Sequence, residues 1–333
     1  MTITRLEPAS SDLSPCSHSF AHRITLPPSS SPRSSRAQSA VVLLGDQRQL
    51  APTCTSQATA KAGLGRSLFE RLLTMRSGAQ RHSLQHCLLT VQYRMHPQLR
   101  EWPSETFYDG RLSDGISADE RPLPAGFPSS SPLAFLSHAG REASTPHGSS
   151  RLNRSEARVV AAMAARLLDA TSDAASDAAS DGICDGELRA SGLGIITPYA
   201  AQAVEIRRVL GTMGVQGVEV KTVDGFQGRE KEVILVSCVR SNASGRIGFL
   251  EDPRRLNVAL TRARRALLVV GCHKTLETDP TWASFIEFCA ARGEVLYHER
   301  RDAGADPLTE TDERHADARE EQVAPSARVW AQG

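Results

Sequence analysis

The chain has 333 residues, of which 40% are hydrophobic and 23% charged, and its formal net charge is +1. These values are ordinary for a globular protein with room for one large domain or two of usual size. A net charge this small excludes overall charge as the basis of nucleic-acid binding, so only local clusters of basic residues could provide it. No apolar run approaches the roughly 20 residues of a membrane span, and we predict no membrane partner.

The seven cysteines are spread singly along the chain, without a Cys-x-x-Cys pair or a Cys/His group at zinc-ligand spacing. We therefore predict free thiols in a reducing compartment and no metal site. The expected compartment is the cytoplasm, with the nucleus as an alternative.

Residues 1–39 are rich in Ser, Pro and Arg, and we predict a disordered leader because so few apolar side chains cannot offset the entropy of ordering. Order is expected to begin at the apolar run 41–44, which is typical of a strand buried on both faces. Comparable apolar runs follow at 88–91, 193–196, 233–239 and 266–270. Helical periodicity is found at 155–168, 200–210 and 255–265. Strands that alternate with helices predict the α/β class with a doubly wound parallel sheet.

Two segments interrupt this alternation. Residues 121–150 are rich in Pro, Ser and Gly and predict a long surface connection, with a short strand at 133–136. Residues 171–185 contain a tandem Ser-Asp-Ala-Ala and predict a low-complexity insertion that does not pack. Residues 301–333 are charged and are predicted to form a disordered tail.

Two polar positions directly follow predicted strands. Gln49 lies in the segment 45–50, at the edge of the sheet where doubly wound folds bind ligands, and its amide is suited to sensing a terminal phosphate. An ordinary strand-exit turn is the alternative for this segment. Arg94 follows the run 88–91, where a guanidinium can stabilise the charge of phosphoryl transfer. A solvated surface charge is the alternative for Arg94.

The predicted helix 255–265 carries its apolar residues at helical spacing, namely Leu256, Ala259, Leu260 and Ala263. Arg255, Arg262 and Arg265 are expected to lie largely on the opposite side, away from the core. The periodicity does not distinguish a solvated basic face from a face that binds phosphate.

Residues 222–230 join two predicted strands, and the glycines within them permit a close approach of the backbone. Thr197 and Thr222, at strand ends, can donate hydroxyl hydrogen bonds to nucleic-acid phosphates without reading bases. Glu230 can accept hydrogen bonds from a ribose. Each of these signals is weak by itself.

The order of the motifs is far more specific than any one of them. The motifs are Val-Val-Leu-Leu-Gly-Asp-Gln-Arg-Gln-Leu (41–50), Val-Gln-Tyr-Arg-Met-His-Pro (91–97), Ile-Ile-Thr-Pro-Tyr (195–199), Val-Asp-Gly-Phe-Gln-Gly-Arg-Glu (223–230) and Leu-Asn-Val-Ala-Leu-Thr-Arg-Ala-Arg (256–264). Residues 40–297 thereby resemble the C-terminal part of superfamily 1 RNA helicases of the up-frameshift type, the regulators of nonsense transcripts. Senataxin-type and immunoglobulin-mu-binding-type helicases share most of these motifs.

The resemblance implies a RecA-like P-loop NTPase fold, with a remnant of the first RecA-like domain at 40–83 and the second such domain at 84–300. For the full-length family it implies ATP and Mg²⁺ as cofactors, RNA as the nucleic acid with DNA as the alternative, and decay-factor proteins as partners. Gln49, Arg94 and Arg262 are expected to act at the γ-phosphate, the two arginines as arginine fingers. The residues expected to contact nucleotide are Gln49, Tyr93, Arg94, Gln227, Glu230 and Arg262. Those expected near the RNA backbone are Thr197 and Thr222.

The chain contains no Gly-x-x-x-x-Gly-Lys-[Ser/Thr] sequence, and the resemblance does not include the Walker B acidic pair that holds Mg²⁺. Because the Walker loop and Mg²⁺ assemble the ground-state complex, we expect no significant ATPase activity from the chain alone. Two explanations stay open: an incomplete coding sequence, or a truncated paralogue that binds RNA or protein without catalysis.

Overall fold

The structure, a computed structural model, describes residues 2–6, 41–52, 54, 56–74, 84–145, 150–177 and 188–297. The strands are β1 Thr2–Leu6, β2 Val41–Gly45, β3 Leu84–Leu88, β4 Val91–Gln92, β5 Ser113–Asp114, β6 Leu133–Ser137, β7 Ala143–Ser144, β8 Arg151–Leu152, β9 Leu193–Thr197, β10 Glu219–Thr222, β11 Lys231–Ser237, β12 Ala263–Gly271 and β13 Val295–Tyr297. The helices are α1 Gln57–Thr59, which continues as a π-helical turn Ala60–Leu64, α2 Leu68–Thr74, α3 Pro97–Tyr108, α4 Arg154–Asp177, α5 Ala200–Thr212, α6 Pro253–Leu260, α7 His273–Leu276 and α8 Pro280–Ala290. The predicted tail 301–333 lies outside the described residues.

A six-stranded sheet with the order β10-β9-β11-β12-β6-β13 forms the centre of the fold. The neighbouring strands from β10 to β6 are all parallel. Three of the predicted apolar runs form β9, β11 and β12, and the short strand predicted at 133–136 is β6. The predicted α/β class with a doubly wound parallel sheet is therefore confirmed.

Alternate side chains of the central strands enter two separate cores. On one face, Phe135, Ile234 and Leu267 pack with helices α3, α6 and α8. On the other face, Leu235 and Leu268 pack with α4 and α5. Since helices cover both faces, the strands have no solvent-facing side, which explains their continuous apolar runs.

The first two predicted runs lie outside the central sheet. The run 41–44 lies in β2, whereas the prediction of one strand at 88–91 is wrong: β3 ends at Leu88, residues 89 and 90 belong to no strand, and β4 begins at Val91. Strands β2 and β3 pair antiparallel with β1 in a separate three-stranded sheet of order β2-β1-β3.

Strand β1 lies in the segment 1–39, so the prediction of disorder is wrong for its five residues. The prediction relied on the average composition of the whole segment. The short run Thr-Ile-Thr-Arg-Leu differs from that average, and its Thr and Ile residues favour strands. Residues 7–40 lie outside the described residues.

The predicted helix 255–265 is wrong at both ends. Helix α6 begins at Pro253, where the Asp252 carboxylate accepts a hydrogen bond from the backbone N–H of Arg254 at 3.0 Å. It ends at Leu260, and the chain enters β12 at Ala263. Helical and strand patterns cannot be told apart across such a short apolar junction.

The burial of two arginines also contradicts the helical prediction. Arg262 and Arg265 are only 2% and 6% exposed, so they do not point away from the core. The backbone turns between α6 and β12, and this turn directs both side chains into the protein. Only Arg255 of the three predicted basic residues lies on α6.

Helix α4 is longer than predicted. It continues to Asp177, so the first part of the predicted insertion 171–185 is helical. Residues 178–187 lie outside the described residues. Within the described part of the chain, no helix combines the length and the apolarity needed to cross a membrane.

Candidate nucleotide-binding cleft

A cleft of about 690 Å³ opens where the segment after β2, the segment around β4, the turn after β10 and the end of α6 meet. Its lining includes every residue predicted to contact nucleotide: Gln49, Tyr93, Arg94, Gln227, Glu230 and Arg262. These residues belong to segments that are far apart in the sequence. Their convergence is therefore a property of the tertiary fold and not of proximity along the chain.

Arg94 lies at the mouth of the cleft and is bound at two points. Its Nε donates a hydrogen bond to the Glu230 carboxylate, with which it also forms an ion pair. Its Nη1 donates to the backbone carbonyl of Thr261 at 2.9 Å. The Nη2 group of Arg94 has no hydrogen-bond partner among the described residues, so it is available to an anion in the cleft.

Arg262 lies deeper than Arg94. Its Nε donates to the carbonyl of Val258 at 2.9 Å, and its Nη2 donates to the hydroxyl of Thr261 at 2.9 Å. Burial, and then the neighbouring charge of Arg94, lower the pKa of Arg262 to about 10. The guanidinium therefore stays protonated at neutral pH and places a second positive charge in the cleft.

Thr261 connects the two arginines. Its carbonyl accepts from Arg94, while its hydroxyl accepts from Arg262 and donates to the carbonyl of Asn257 at 2.6 Å. A single residue after the end of α6 thus orients both guanidinium groups. The sequence motif contains Thr261, but nothing in the sequence assigned it this function.

The backbone that carries Arg94 is held by two further side chains. The Gln92 side-chain oxygen accepts from the N–H groups of Arg94 at 2.9 Å and Met95 at 2.7 Å. Arg121 donates from Nε to the carbonyl of Arg94 at 3.0 Å and from Nη2 to that of Tyr93 at 3.3 Å. Gln92 lies within the quoted motif, whereas no sequence signal connected Arg121 to this segment.

Tyr93 and Gln227 lie at the rim of the cleft. The Tyr93 ring is 68% exposed and packs against the backbone of Gly115, where an added Cβ would lie 2.2 Å from the ring. Any larger residue at position 115 would therefore displace the ring. Gln227 is exposed and precedes Gly228, whose φ of +77° is in the left-handed region that favours glycine.

A polar network that the sequence did not reveal holds the Gln49 segment. The Asp46 carboxylate accepts from the Tyr108 hydroxyl at 2.8 Å and from the Gln49 amide at 3.1 Å. The Asn257 amide donates to the Tyr108 oxygen and to the carbonyl of Arg48, both at 2.9 Å. Burial, and then the Asp46 charge, raise the pKa of Tyr108 well above its usual range. The network ties the segment after β2 to α3 and α6.

Replacing Tyr108 with phenylalanine should lower the free energy of unfolding by about 1–2 kcal/mol, because the Asp46 carboxylate loses a donor in a poorly solvated position. Urea denaturation would measure the change. Tyr93→Phe is the matched control, since the Tyr93 hydroxyl makes no hydrogen bond to the described residues. Equal stabilities of the two variants would contradict the importance of this network.

The two residues predicted near RNA lie outside the cleft lining. Thr197 and Thr222 are direct neighbours on β9 and β10. The Thr197 hydroxyl is completely buried and has no hydrogen-bond partner among the described residues. The Thr222 hydroxyl is partly exposed and accepts from the N–H of Gly225 at 3.3 Å. Of the two, only Thr222 presents its hydroxyl near the surface.

The described residues contain no group of three or more His, Cys, Asp or Glu side chains that could hold a metal ion. Asp46 and Glu230 are the carboxylates among the residues that line the cleft. Both are already engaged, Asp46 by Tyr108 and Gln49, and Glu230 by Arg94. The N–H groups of the two arginines are suited to an anion, and the two separate carboxylates do not make up such a group of three.

The fold is that of a RecA-like α/β domain, and its cleft contains two arginine side chains. The AAA domain family matches residues 64–274, more than half of the chain, and the chain belongs to this family. It is 39% identical over 257 residues to the regulator of nonsense transcripts 1 homolog of Drosophila melanogaster, covering 74% of this chain and 20% of the relative. It is 40% identical over 255 residues to regulator of nonsense transcripts 1 of Dictyostelium discoideum, covering 74% and 17%.

A third relative is the ATP-dependent helicase upf1 of Schizosaccharomyces pombe, 39% identical over 266 residues, which cover 77% of this chain and 26% of the relative. The similarity to the C-terminal part of superfamily 1 helicases of the up-frameshift type is thus confirmed. The matched region spans between 17% and 26% of these three relatives.

Proposed function

We propose that this chain forms the arginine-finger half of the ATP site in an ATP-dependent RNA helicase of the regulator of nonsense transcripts type. The observation that carries the proposal is the convergence of the predicted nucleotide-contacting residues on one cleft. Arg94 and Arg262 each retain a terminal guanidinium nitrogen, Nη2 and Nη1 respectively, without a partner among the described residues. Planar, forked N–H donors of this kind stabilise the charge that spreads over the oxygens of a transferred phosphoryl group.

The other residues of the cleft suit the remaining parts of a nucleotide. The Gln49 amide lies beside the Asp46 carboxylate and can exchange that partner for a terminal phosphate oxygen. Tyr93 offers an exposed ring on which a flat group can stack. The Glu230 carboxylate can accept hydrogen bonds from ribose hydroxyls, and the Gln227 amide can serve ribose or phosphate. The residues present thus fit the nucleotide, while the ligands of Mg²⁺, which would neutralise phosphate charge, have to come from elsewhere.

RNA is the proposed nucleic acid, with Thr222 as the surface hydroxyl that contacts a phosphate and Thr197 as its buried neighbour. Both lie at the carboxyl edge of the central sheet, where doubly wound folds place their ligands. DNA remains the alternative, because a phosphate contact does not distinguish the two nucleic acids. Decay-factor proteins are the proposed partners of the complete helicase, in the cytoplasm or the nucleus.

The purified chain should bind single-stranded RNA without ATP and should show no ATP turnover above background. Arginine fingers stabilise a transition state, whereas a complex in which ATP can be hydrolysed also requires the Walker loop and Mg²⁺. RNA retention should fall steeply as salt rises, because phosphate contacts release counterions. A DNA strand of the same sequence, measured in parallel, tests the choice of nucleic acid.

The outcomes separate the candidate functions. ATP turnover by the chain alone that disappears in Arg262→Ala would overturn the proposed inactivity. RNA binding by a chain that cannot support ATP hydrolysis in any assembly would favour the non-catalytic binding paralogue. Failure to bind either nucleic acid would remove RNA from the proposal.

A further inference from the structure

The Glu230 carboxylate forms an ion pair with Arg94 that the proposed ATP site does not require. This carboxylate accepts the Nε hydrogen of a guanidinium that is expected to serve a phosphate. We infer that Glu230 is a built-in substitute for phosphate, which holds Arg94 until a polyphosphate ligand displaces it and so sets the affinity of the cleft for anions. The inference rests on the proposed function and adds an element of regulation to the same site.

The exposure of the two partners makes such an exchange feasible. The Glu230 side chain is 44% exposed and the Arg94 side chain 34%, so the carboxylate can rotate into water with little loss of solvation. The backbone of Arg94, by contrast, is held by Gln92 and Arg121. The contact of Arg94 with the Thr261 carbonyl does not involve Glu230. Release of the carboxylate would therefore leave the guanidinium close to its present position.

The charges in the cleft favour replacement of the carboxylate by a more highly charged anion. Arg94 and Arg262 interact unfavourably, since the Arg94 charge adds to burial in lowering the pKa of Arg262. Glu230 offsets this repulsion in part, because its charge acts on the same pKa in the opposite direction. A single carboxylate carries one negative charge, whereas a polyphosphate carries several. The polyphosphate can also accept from both guanidinium groups at once.

Glu230 and a polyphosphate ligand also compete for the same N–H donors of Arg94. Carboxylates and phosphates both match the forked donors of arginine, so the two cannot use the same edge of Arg94 together. Every polyphosphate that binds Arg94 through Nε must first break the ion pair. Removal of the Glu230 charge should therefore strengthen the binding of anions, although Glu230 lines the binding cleft.

The test is the binding of inorganic tripolyphosphate to the whole chain, measured by titration calorimetry at low ionic strength. Glu230→Gln should bind about two- to five-fold more tightly than the wild type, since an exposed ion pair of this kind opposes binding by up to roughly five-fold. Tripolyphosphate has no ribose, so a ribose contact of Glu230 cannot influence the result. The gain should shrink as salt is raised.

Glu232→Gln is the matched control. It removes the same charge two residues away, from an ion pair with Arg264 whose side chains are 33% and 35% exposed, but Glu232 does not line the cleft. Its tripolyphosphate affinity should equal that of the wild type. Glu230→Ala provides a second variant in which the carboxylate is absent, and it should bind tripolyphosphate at least as tightly as Glu230→Gln.

Each other outcome decides against the inference. If Glu230→Gln binds tripolyphosphate no more tightly than the wild type, the inference that Glu230 substitutes for phosphate is overturned. If Arg94→Gln at the same time no longer binds tripolyphosphate, the proposed ATP site still stands. An equal gain of tripolyphosphate affinity in Glu232→Gln would show that only the overall charge matters, and this would also overturn the inference. Absence of binding in every variant would overturn both the proposed phosphate site and the inference.

Discussion

Replacing Arg262 with glutamine should lower the turnover number for ATP by about 10³- to 10⁵-fold in a helicase that contains this chain, which is the usual effect of losing an arginine finger. The assay requires an assembly with a complete ATP site. A suitable one is the ATP-dependent helicase upf1 of Schizosaccharomyces pombe with residues 41–297 in place of its matching segment. The chimera itself should hydrolyse ATP.

The structural reason for this large effect is that Arg262 is immobilised before the ligand arrives. Its Nε and Nη2 are bound to Val258 and Thr261, and the side chain is almost completely buried. A preorganised charge acts mainly on the transition state, so KM should change much less than the turnover number. Arg262→Lys should restore only part of the activity, because an ammonium lacks the planar fork.

Arg264→Gln is the control for this experiment, since Arg264 is two residues away and pairs with Glu232 outside the cleft lining. It should retain the turnover of the chimera. An active chimera that tolerates Arg262→Gln would refute the assignment of Arg262 as a finger. A folded chimera with no turnover at all would favour a non-catalytic function for the chain.

The second large effect is expected at Glu156, whose carboxyl is completely buried at the start of α4. Its Oε1 accepts from the Ser237 hydroxyl at 2.6 Å and from the N–H of Val239 at 2.8 Å, while its Oε2 has no partner among the described residues. Val239 has a φ of +71°, which is unusual for a β-branched residue. Glu156 thus stabilises the strained exit from β11.

Burial raises the pKa of Glu156 from 4.5 to about 7. Because the folded state holds this proton more tightly than the unfolded chain, the resulting stabilisation is complete below about pH 4.5 and is lost as the pH rises through 7. The shift corresponds to about 3 kcal/mol. Glu156→Gln cannot ionise, so the difference in unfolding free energy between variant and wild type should change by about that amount between pH 4.5 and pH 8, in favour of the variant at high pH.

Urea denaturation at a series of pH values would measure this difference. Glu105→Gln, which removes an exposed carboxylate on α3, is the control and should give a profile parallel to that of the wild type. A constant difference between Glu156→Gln and the wild type across the pH range would show that the pKa of Glu156 is the same in the folded and the unfolded protein.

The residues predicted to contact nucleotide could be identified from the sequence. Gln49, Arg94 and Glu230 lie in motifs whose order along the chain resembles that of up-frameshift-type helicases, and the cleft contains all three. The central strands were also predictable, because complete burial on both faces leaves a continuous apolar run. Strand β1 and the end of α6 were not, since short segments carry too little pattern to separate the alternatives.

The residues that hold the cleft-lining segments in place could not be predicted, for a different reason. Arg121 supports Arg94 from a sequence separation of 27 residues, and Asn257 supports the Arg48 carbonyl from a separation of 209. A polar side chain at such a distance leaves no periodic signal near its target. Its hydrogen bonds exist only after the sheet, α3 and α6 have packed together.

The sequence by itself determined the α/β class, because apolar periodicity depends on neighbours along the chain. Its resemblance to a helicase family implied the family and the set of side chains that meet in the cleft. The tertiary structure decided the environment of each side chain: the burial of Arg262, its proximity to Arg94, and the capture of Arg94 by Glu230. Charge, solvation and hydrogen bonding depend on distances in space, and packing alone establishes those distances.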